Sequence, residues 1–305
     1  MNPLVAWRGL FRKSTGWNAE FVDSKRRRQP KVVDKAVIAL PDTNRLDTFY
    51  SRPGAEGFRV AEAFDGRTGA GTDLFDVDRF VERVGREPLG GEIGCAISHF
   101  QVLQDFALTS GRGDDVLIVA EDDALLSTNF EEVLGRVLDR ARDLAYVILA
   151  DPYGEADRGD FFGYSEYSVR LSALATPVGP PWNPWQFRVG RYTGLAFGAG
   201  LYAVTRDAAK KYERFVAERG SLSWVADDYS HWATGAGVRV SFLRPNLASW
   251  AGGTTLGRED PRQVNEVWAS RRYQGGVLTR VRSHIALRTR WDRLVAAIEL
   301  ALDRS

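Results

Sequence analysis

The chain reads as an α/β protein, a sheet of buried strands flanked by helices. Three observations predict this. Short branched apolar runs recur as AVIAL (36–40), VLIVA (116–120) and AYVILAD (145–151), each with the length of a strand buried on both faces. Apolar residues at helical spacing fill intervening stretches, most clearly over 92–108 and from Asn129 to Arg142. Strands and helices therefore alternate, the pattern of an α/β sheet.

Taken in order, residues 1–31 are basic and irregular, with Lys25, Arg26, Arg27, Arg28 and Lys31 beside a proline. Trp7, Leu10 and Phe11 lie at helical spacing, and the segment reads as an extension outside the main fold. The first strand, 36–40, leads into a loop or helix carrying Arg45. A second strand is expected over 58–64, closed by Asp65-Gly66. In the helix over 92–108, Ile93, Ala96, Ile97, Phe100, Leu103 and Ala107 form the apolar stripe. Glu92 and His99 are seven apart and share another face, with Cys95 between them. Gly90-Gly91 would leave that helix N-terminus bare of side chains, so its N–H groups could receive a phosphate. Residues 152–193 are irregular, aromatic and proline-rich. Strand and helix resume at 197–215, VRVSFL (238–243) is a late strand, and 277–302 reads as a long basic amphipathic helix. The expected units are a basic extension (1–31), a catalytic-size domain (32–260) and an amphipathic helical tail (261–305).

Composition narrows the function. With 305 residues, 44% hydrophobic and 27% charged, the chain can bury a large core. A net charge of +1 argues against a nucleic-acid partner bound by bulk charge. Cys95 is the only cysteine, which forbids an intramolecular disulfide and fits a cytoplasmic protein. The opening MNPLVAWRGLFRK has its apolar stretch broken by Arg8 and is read as too short for a signal peptide. No apolar run reaches membrane-spanning length.

The most informative stretch is LIVAEDDALL (117–126), where a buried strand delivers Glu121, Asp122 and Asp123 side by side. Crowded carboxylates repel unless a cation sits among them, and hard divalent ions such as Mn²⁺ or Mg²⁺ are the usual partners. The plain alternative is a solvated strand end, or an N-cap for the next helix. Response-regulator receivers also carry such clusters, but near the chain start. Upstream, residues 89–99 read LGGEIGCAISH. With AVIAL and Arg45, FRVAEAFDG (58–66), GLAFGAGLYAVTRDAAKK (194–211) and WVADDY (224–229), this order resembles the glycosyltransferase family 25 enzymes, bacterial lipooligosaccharide galactosyltransferases and their collagen-modifying relatives. The family shows a "VINL" strand, "GEIGCxxSH", a strand ending in "EDD", and a late acidic pair. Ala39 stands where that family often has asparagine.

The resemblance spans roughly residues 35–250 and implies the GT-A fold, a nucleotide-sugar-binding mixed sheet flanked by helices. It implies a metal-dependent, inverting transfer of a hexose from a UDP-sugar to a saccharide or glycolipid acceptor of a cell-envelope glycan, galactose favoured and glucose the other candidate. Such chemistry needs a neutralised diphosphate, a base for the acceptor hydroxyl and a held sugar. Asp123 is the expected direct ligand of Mn²⁺ or Mg²⁺. Glu121, two residues away on an extended segment, points the same way and serves metal or donor. Asp122 contacts the donor or holds a helix end. His231 either completes the metal site or is an ordinary surface histidine. One of Asp227 and Asp228 is the base, unless the pair opens a helix as an N-cap. Leu40, Pro41, Arg45, Glu92 and His99 join the donor site, with a pinning role for His99 and a surface charge for Arg45 as alternatives. Cys95 packs. Trp182, Trp185 and Tyr192 form an acceptor platform or a core plug. Two other classes fit parts of the pattern: a glycan- or nucleotide-sugar-binding protein without turnover, and a metal-dependent phosphoryl or nucleotidyl transferase, which leaves the GEIGCxxSH helix without a role. The basic termini suggest peripheral contact with an anionic membrane at its inner face, against simple packing of the tail on the domain.

Overall fold

The computed structural model describes residues 29–71, 73–141, 144–151, 169–193 and 196–250. The strands are β1 (Val32–Ala39), β2 (Arg59–Glu62), β3 (Val116–Glu121), β4 (Ala124–Leu126), β5 (Tyr146–Ala150), β6 (Arg170–Leu171), β7 (Thr176–Pro177), β8 (Arg188–Gly190), β9 (Tyr192–Thr193), β10 (Leu201–Thr205), β11 (Val240–Arg244) and β12 (Ala248–Trp250). The helices are α1 (Leu46–Tyr50), α2 (Val77–Val84), α3 (Gly90–Leu108), α4 (Phe130–Arg140), α5 (Arg206–Ala217) and α6 (Tyr229–Gly235). The basic segment through residue 28 and the expected helix at 277–302 lie outside the described residues.

An eight-stranded sheet in the order β2-β1-β3-β10-β5-β11-β8-β7 forms the centre. Strands β2, β1 and β3 run parallel, β10 runs against β3 and β5, and β11 is parallel to β5, so the sheet is mixed. Side chains alternate between its two faces, as a period of two requires. Leu117 and Val119 of β3 join one core with Ile38, Tyr202, Ile148 and helices α2, α3, α5 and α6. Val116, Ile118 and Ala120 join the other with Val37, Leu201, Leu149 and α4. Leu117, Ile118 and Val119 are all fully buried. Each such side chain contributes about 1.5–3 kcal/mol of burial, which fixes β3 as a central strand. The alternation places Glu121 on the Val119 side, facing α3.

The helix expected from Asn129 to Arg142 runs from Phe130 to Arg140 with Asn129 at its N-cap position, and Asp228 takes the N-cap position of α6 without accepting a capping hydrogen bond from that helix's backbone. The bare helix start expected at Gly90-Gly91 is corrected. The turn Phe64–Arg67 lies on it, and Gly90 and Gly94 permit this contact: a Cβ on Gly94 would stand 2.6 Å from the Phe64 carbonyl oxygen, and one on Gly90 2.6 Å from that of Gly66. These glycines serve packing between backbones.

A pair of substitutions tests that reading. Alanine in a helix normally gains about 0.5–1 kcal/mol over glycine. Gly135→Ala in α4, where the added methyl meets nothing within 4 Å, should gain that amount. Gly94→Ala should instead lose on the order of 2 kcal/mol or more, because backbone must shift. Urea denaturation of both variants measures the two signs, and a stabilising Gly94→Ala would contradict the close packing.

Candidate active site

A cavity of about 430 Å³ opens beyond the C-terminal ends of β1 and β3. This is where an open α/β sheet offers room for a ligand. Its walls include Leu40, Thr43 and Arg45 after β1, Asp65–Arg67 after β2, Gly91, Cys95 and His99 of α3, and Glu121, Asp122 and Asp123. The structure thus gathers the acidic triplet, Leu40, Arg45 and His99, as expected. Pro41 is exposed and Glu92 buried; neither is in the wall.

The triplet is not an extended run. Strand β3 ends at Glu121, Asp122 and Asp123 form a turn, and β4 follows. Glu121 therefore faces α3 while Asp122 and Asp123 face the loop after β1. Asp122 accepts a hydrogen bond from the Thr43 hydroxyl at 2.6 Å and one from Arg45 Nη1 at 3.4 Å. Arg45 Nη1 also lies 3.7 Å from Asp123 Oδ2. Asp122 thus holds the β1 loop, and Arg45 sits among carboxylates. Burial, reinforced by the charges of Glu121 and Asp122 and opposed by Arg45, pushes Asp123 up to about 7. Its Oδ1 is buried and has no hydrogen-bond partner. At the cavity rim Arg67 is chelated by Asp65 at 2.8 Å through both Nε and Nη2, which holds it firmly cationic.

On the opposite wall, Cys95 and His99 are one helical turn apart on one face of α3. His99 Nε2 lies 3.1 Å from Glu121 Oε1, and Nδ1 lies 2.9 Å from the Tyr202 hydroxyl. Tyr202 stacks on Tyr146 at 4.6 Å, and burial raises both phenols well above their usual range, so they stay protonated. This tyrosine support was invisible in the sequence, where Tyr202 looks like any apolar strand residue. Burial also raises the Cys95 thiol, helped by the charges of Glu121 and Asp227.

Other expected residues lie elsewhere. The Glu92 carboxylate is bidentate on Arg86, both contacts at 2.7 Å, and accepts the Leu89 N–H at 2.9 Å as half of a capping box. It anchors the helix start and lies outside the cavity wall. Asp228 is buried, ion-paired to Arg83, and accepts from the Ser230 hydroxyl at 3.1 Å. Asp227 is half-buried and accepts the Gly198 N–H at 2.7 Å. The His231 ring rests against Trp224 at 5.3 Å and Phe215 at 6.3 Å and is not in the cavity wall. Trp182 is 80% and Trp185 59% exposed. Strand pairings put their loop, between β7 and β8, at the same sheet edge as the cavity, but five strands from β3. At about 4.8 Å per strand that is roughly 24 Å. Tyr192 packs edge-on against Phe242 at 4.5 Å.

An acidic, cation-flanked cavity off the parallel strands of an α/β sheet belongs to proteins that handle charged ligands such as nucleotides. A family model described as "Glycosyltransferase family 25 (LPS biosynthesis protein)" matches residues 48–223, more than half of the chain. The chain belongs to glycosyltransferase family 25 and is a glycosyltransferase. No curated protein matches it. Among solved structures, the inositol-1-phosphate CTP transferase from T. maritima aligns with 81% of this chain and 99% of its own at 12% identity and a TM-score of 0.35, too slight a likeness to support an argument.

The position of Asp123 has a measurable cost. A carboxyl whose folded pKa is raised destabilises the fold once pH exceeds its ordinary value, and the loss grows until the folded pKa is passed. Asp123→Asn should match the wild type near pH 4 and become the more stable protein as pH rises toward about 7, by at most about 1.4 kcal/mol per pH unit. Urea midpoints of both proteins from pH 4 to 8, without divalent metal, give the gap. A flat gap means Asp123 ionises like an exposed carboxylate.

Proposed function

We propose that this glycosyltransferase moves a hexose, galactose before glucose, from a UDP-sugar to a saccharide or glycolipid acceptor of a cell-envelope glycan, with inversion and with a hard divalent cation. The fold implied is GT-A. The observation that carries the reading is the convergence of Glu121, Asp122 and Asp123 on one cavity with Asp123 Oδ1 unpartnered. A crowded, oxygen-only donor set suits Mn²⁺ or Mg²⁺, whose charge would displace the proton that burial and the neighbouring carboxylates favour on Asp123. Asp123 would hold the ion, with Glu121 assisting and Asp122 fixing the loop after β1. Such an ion neutralises charge developing on the departing diphosphate. Arg45 and Arg67 supply cationic walls for the same phosphates, and Leu40 lies at the cavity's apolar side.

Between the two late aspartates, the geometry favours Asp227 as the base. Asp228 is spent on Arg83 inside the fold. Asp227 is more accessible, and its charge reaches Cys95 on the cavity wall. It would take the acceptor hydroxyl's proton as oxygen attacks the anomeric carbon. Trp182 and Trp185 would meet only a distal ring of a long acceptor.

A panel of nucleotide sugars assayed with Mn²⁺ or EDTA tests the whole reading. UDP-galactose should be consumed, and both EDTA and Asp123→Asn should lower turnover by orders of magnitude with the fold intact. Full activity in EDTA would remove the metal from the mechanism.

The aspartates should separate cleanly. Asp227→Asn should depress the chemical step by about 10²–10⁴ while UDP affinity, read by calorimetry, stays near wild type. Asp228→Asn should cost about 3–5 kcal/mol of stability, because Arg83 loses its buried partner. Loss of UDP affinity in Asp227→Asn would assign it to donor binding.

No helix among the described residues is long and apolar enough to cross a membrane. Peripheral contact with an anionic inner leaflet rests on the sequence of the termini alone. Co-sedimentation with anionic liposomes at low salt, comparing the full chain with one shortened by residues 1–31 and 280–305, should show binding only by the former.

A further inference from the structure

The wall opposite Asp122 and Asp123 carries a second donor set of different chemistry. Cys95 Sγ, His99 Nε2 and Glu121 Oε1 lie within 4.8 Å of one another. The histidine nitrogen and the carboxylate oxygen are 3.1 Å apart, and the sulfur and that oxygen 3.9 Å. Around a tetrahedral Zn²⁺ with bonds of about 2.0–2.3 Å, neighbouring ligand atoms stand roughly 3.3–3.8 Å apart. The nitrogen–oxygen and sulfur–oxygen separations are therefore already near that spacing. A hydrogen bond to the far ring nitrogen is what orients a metal-binding histidine, and the Tyr202 hydroxyl supplies one at 2.9 Å. His99 is 4% exposed and sits on a packed helix, so its Nε2 is aimed at Glu121 and Cys95 by the core.

We propose that Cys95, His99 and Glu121 form a binding site for a thiophilic divalent cation of the Zn²⁺ type, distinct from the oxygen cluster of Asp122 and Asp123. A sulfur and an imidazole select softer transition ions, whereas the aspartates select hard ones. The thiol loses its proton to solvent as the ion binds. The two sites share Glu121. A soft ion that captures this carboxylate withdraws it from the hard-ion cluster, so each ion weakens the other. If the metal-dependent transfer proposed above holds, micromolar zinc is then an inhibitor that acts beside the substrate and not on it.

Co²⁺ reports on this site without any turnover. Cys95 is the only cysteine of the chain, so a thiolate-to-cobalt charge-transfer band can arise from no other residue. Titration of the full-length protein with Co²⁺ should give that band together with the intense visible absorption of four-coordinate cobalt, and Zn²⁺ should abolish both. Asp123→Asn should keep the band. Cys95→Ser should lose it, with circular dichroism checking the fold, and His99→Gln, which keeps the sulfur, should weaken Co²⁺ binding at least tenfold. Excess Mn²⁺ should raise the apparent Co²⁺ dissociation constant severalfold. Cobalt binding without a charge-transfer band, or a band unchanged in His99→Gln, would overturn the site. Neither result depends on whether the protein transfers a sugar.

Discussion

Three carboxylates leave the sheet at one point, and their mutual repulsion has to be opposed by everything around them. Strand β3 cannot retreat, because its apolar side chains are committed to both cores. The surroundings answer in three directions. Arg45 and the Thr43 hydroxyl engage Asp122, His99 engages Glu121, and burial with the neighbouring charges raises Asp123 to about 7. Unequal treatment of three like groups gives each a separate task.

The helix that carries Cys95 and His99 is held by two unrelated devices. At its start, glycines let the turn at Phe64–Arg67 approach backbone to backbone, and Glu92 secures the first turn to Arg86. Along its length, it packs on the sheet and against α5, and the stacked Tyr146–Tyr202 pair reaches His99 from the sheet. The long GEIGCAISH motif is thus mostly architecture. Its glycines and glutamate set where the helix starts, and Cys95 and His99 bring metal-ligating side chains to the cavity wall.

Strands β1, β3 and β5 and helix α3 were legible because each is a sustained apolar pattern with one period. The short strands β6, β7, β8 and β9 were not, since two or three residues among prolines carry no period to read. Glu121, Asp122 and Asp123 do line one cavity, but they do not form one extended row, because the turn after β3 is fixed by the pairing of β4 with β12, more than a hundred residues away. Glu92 shows the same limit. Seven residues before His99, it fell on the expected face, but Arg86 lay within reach and took it. Asp227 and Asp228 were indistinguishable as letters; Arg83, far off in sequence, tells them apart.

The Asp122–Asp123 turn is pinned on both sides. Before it, β3 is bonded to β1 and β10; after it, β4 is bonded to β12, with Ala124 opposite Trp250. Trp250 in turn lies against Gly200, at a spot with no space for a side chain on that glycine, and the Gly200 carbonyl accepts the Glu121 N–H at 2.9 Å. The loop therefore has little slack with which to widen around a larger guest. Calcium, which asks for six to eight oxygens at about 2.3–2.6 Å, needs a pliant ring of donors, whereas magnesium tolerates few protein ligands in tight geometry. If the two aspartates hold a divalent ion as proposed, selection by ionic radius would come from the hydrogen-bond ladders that flank them, from residues that touch no ligand at all.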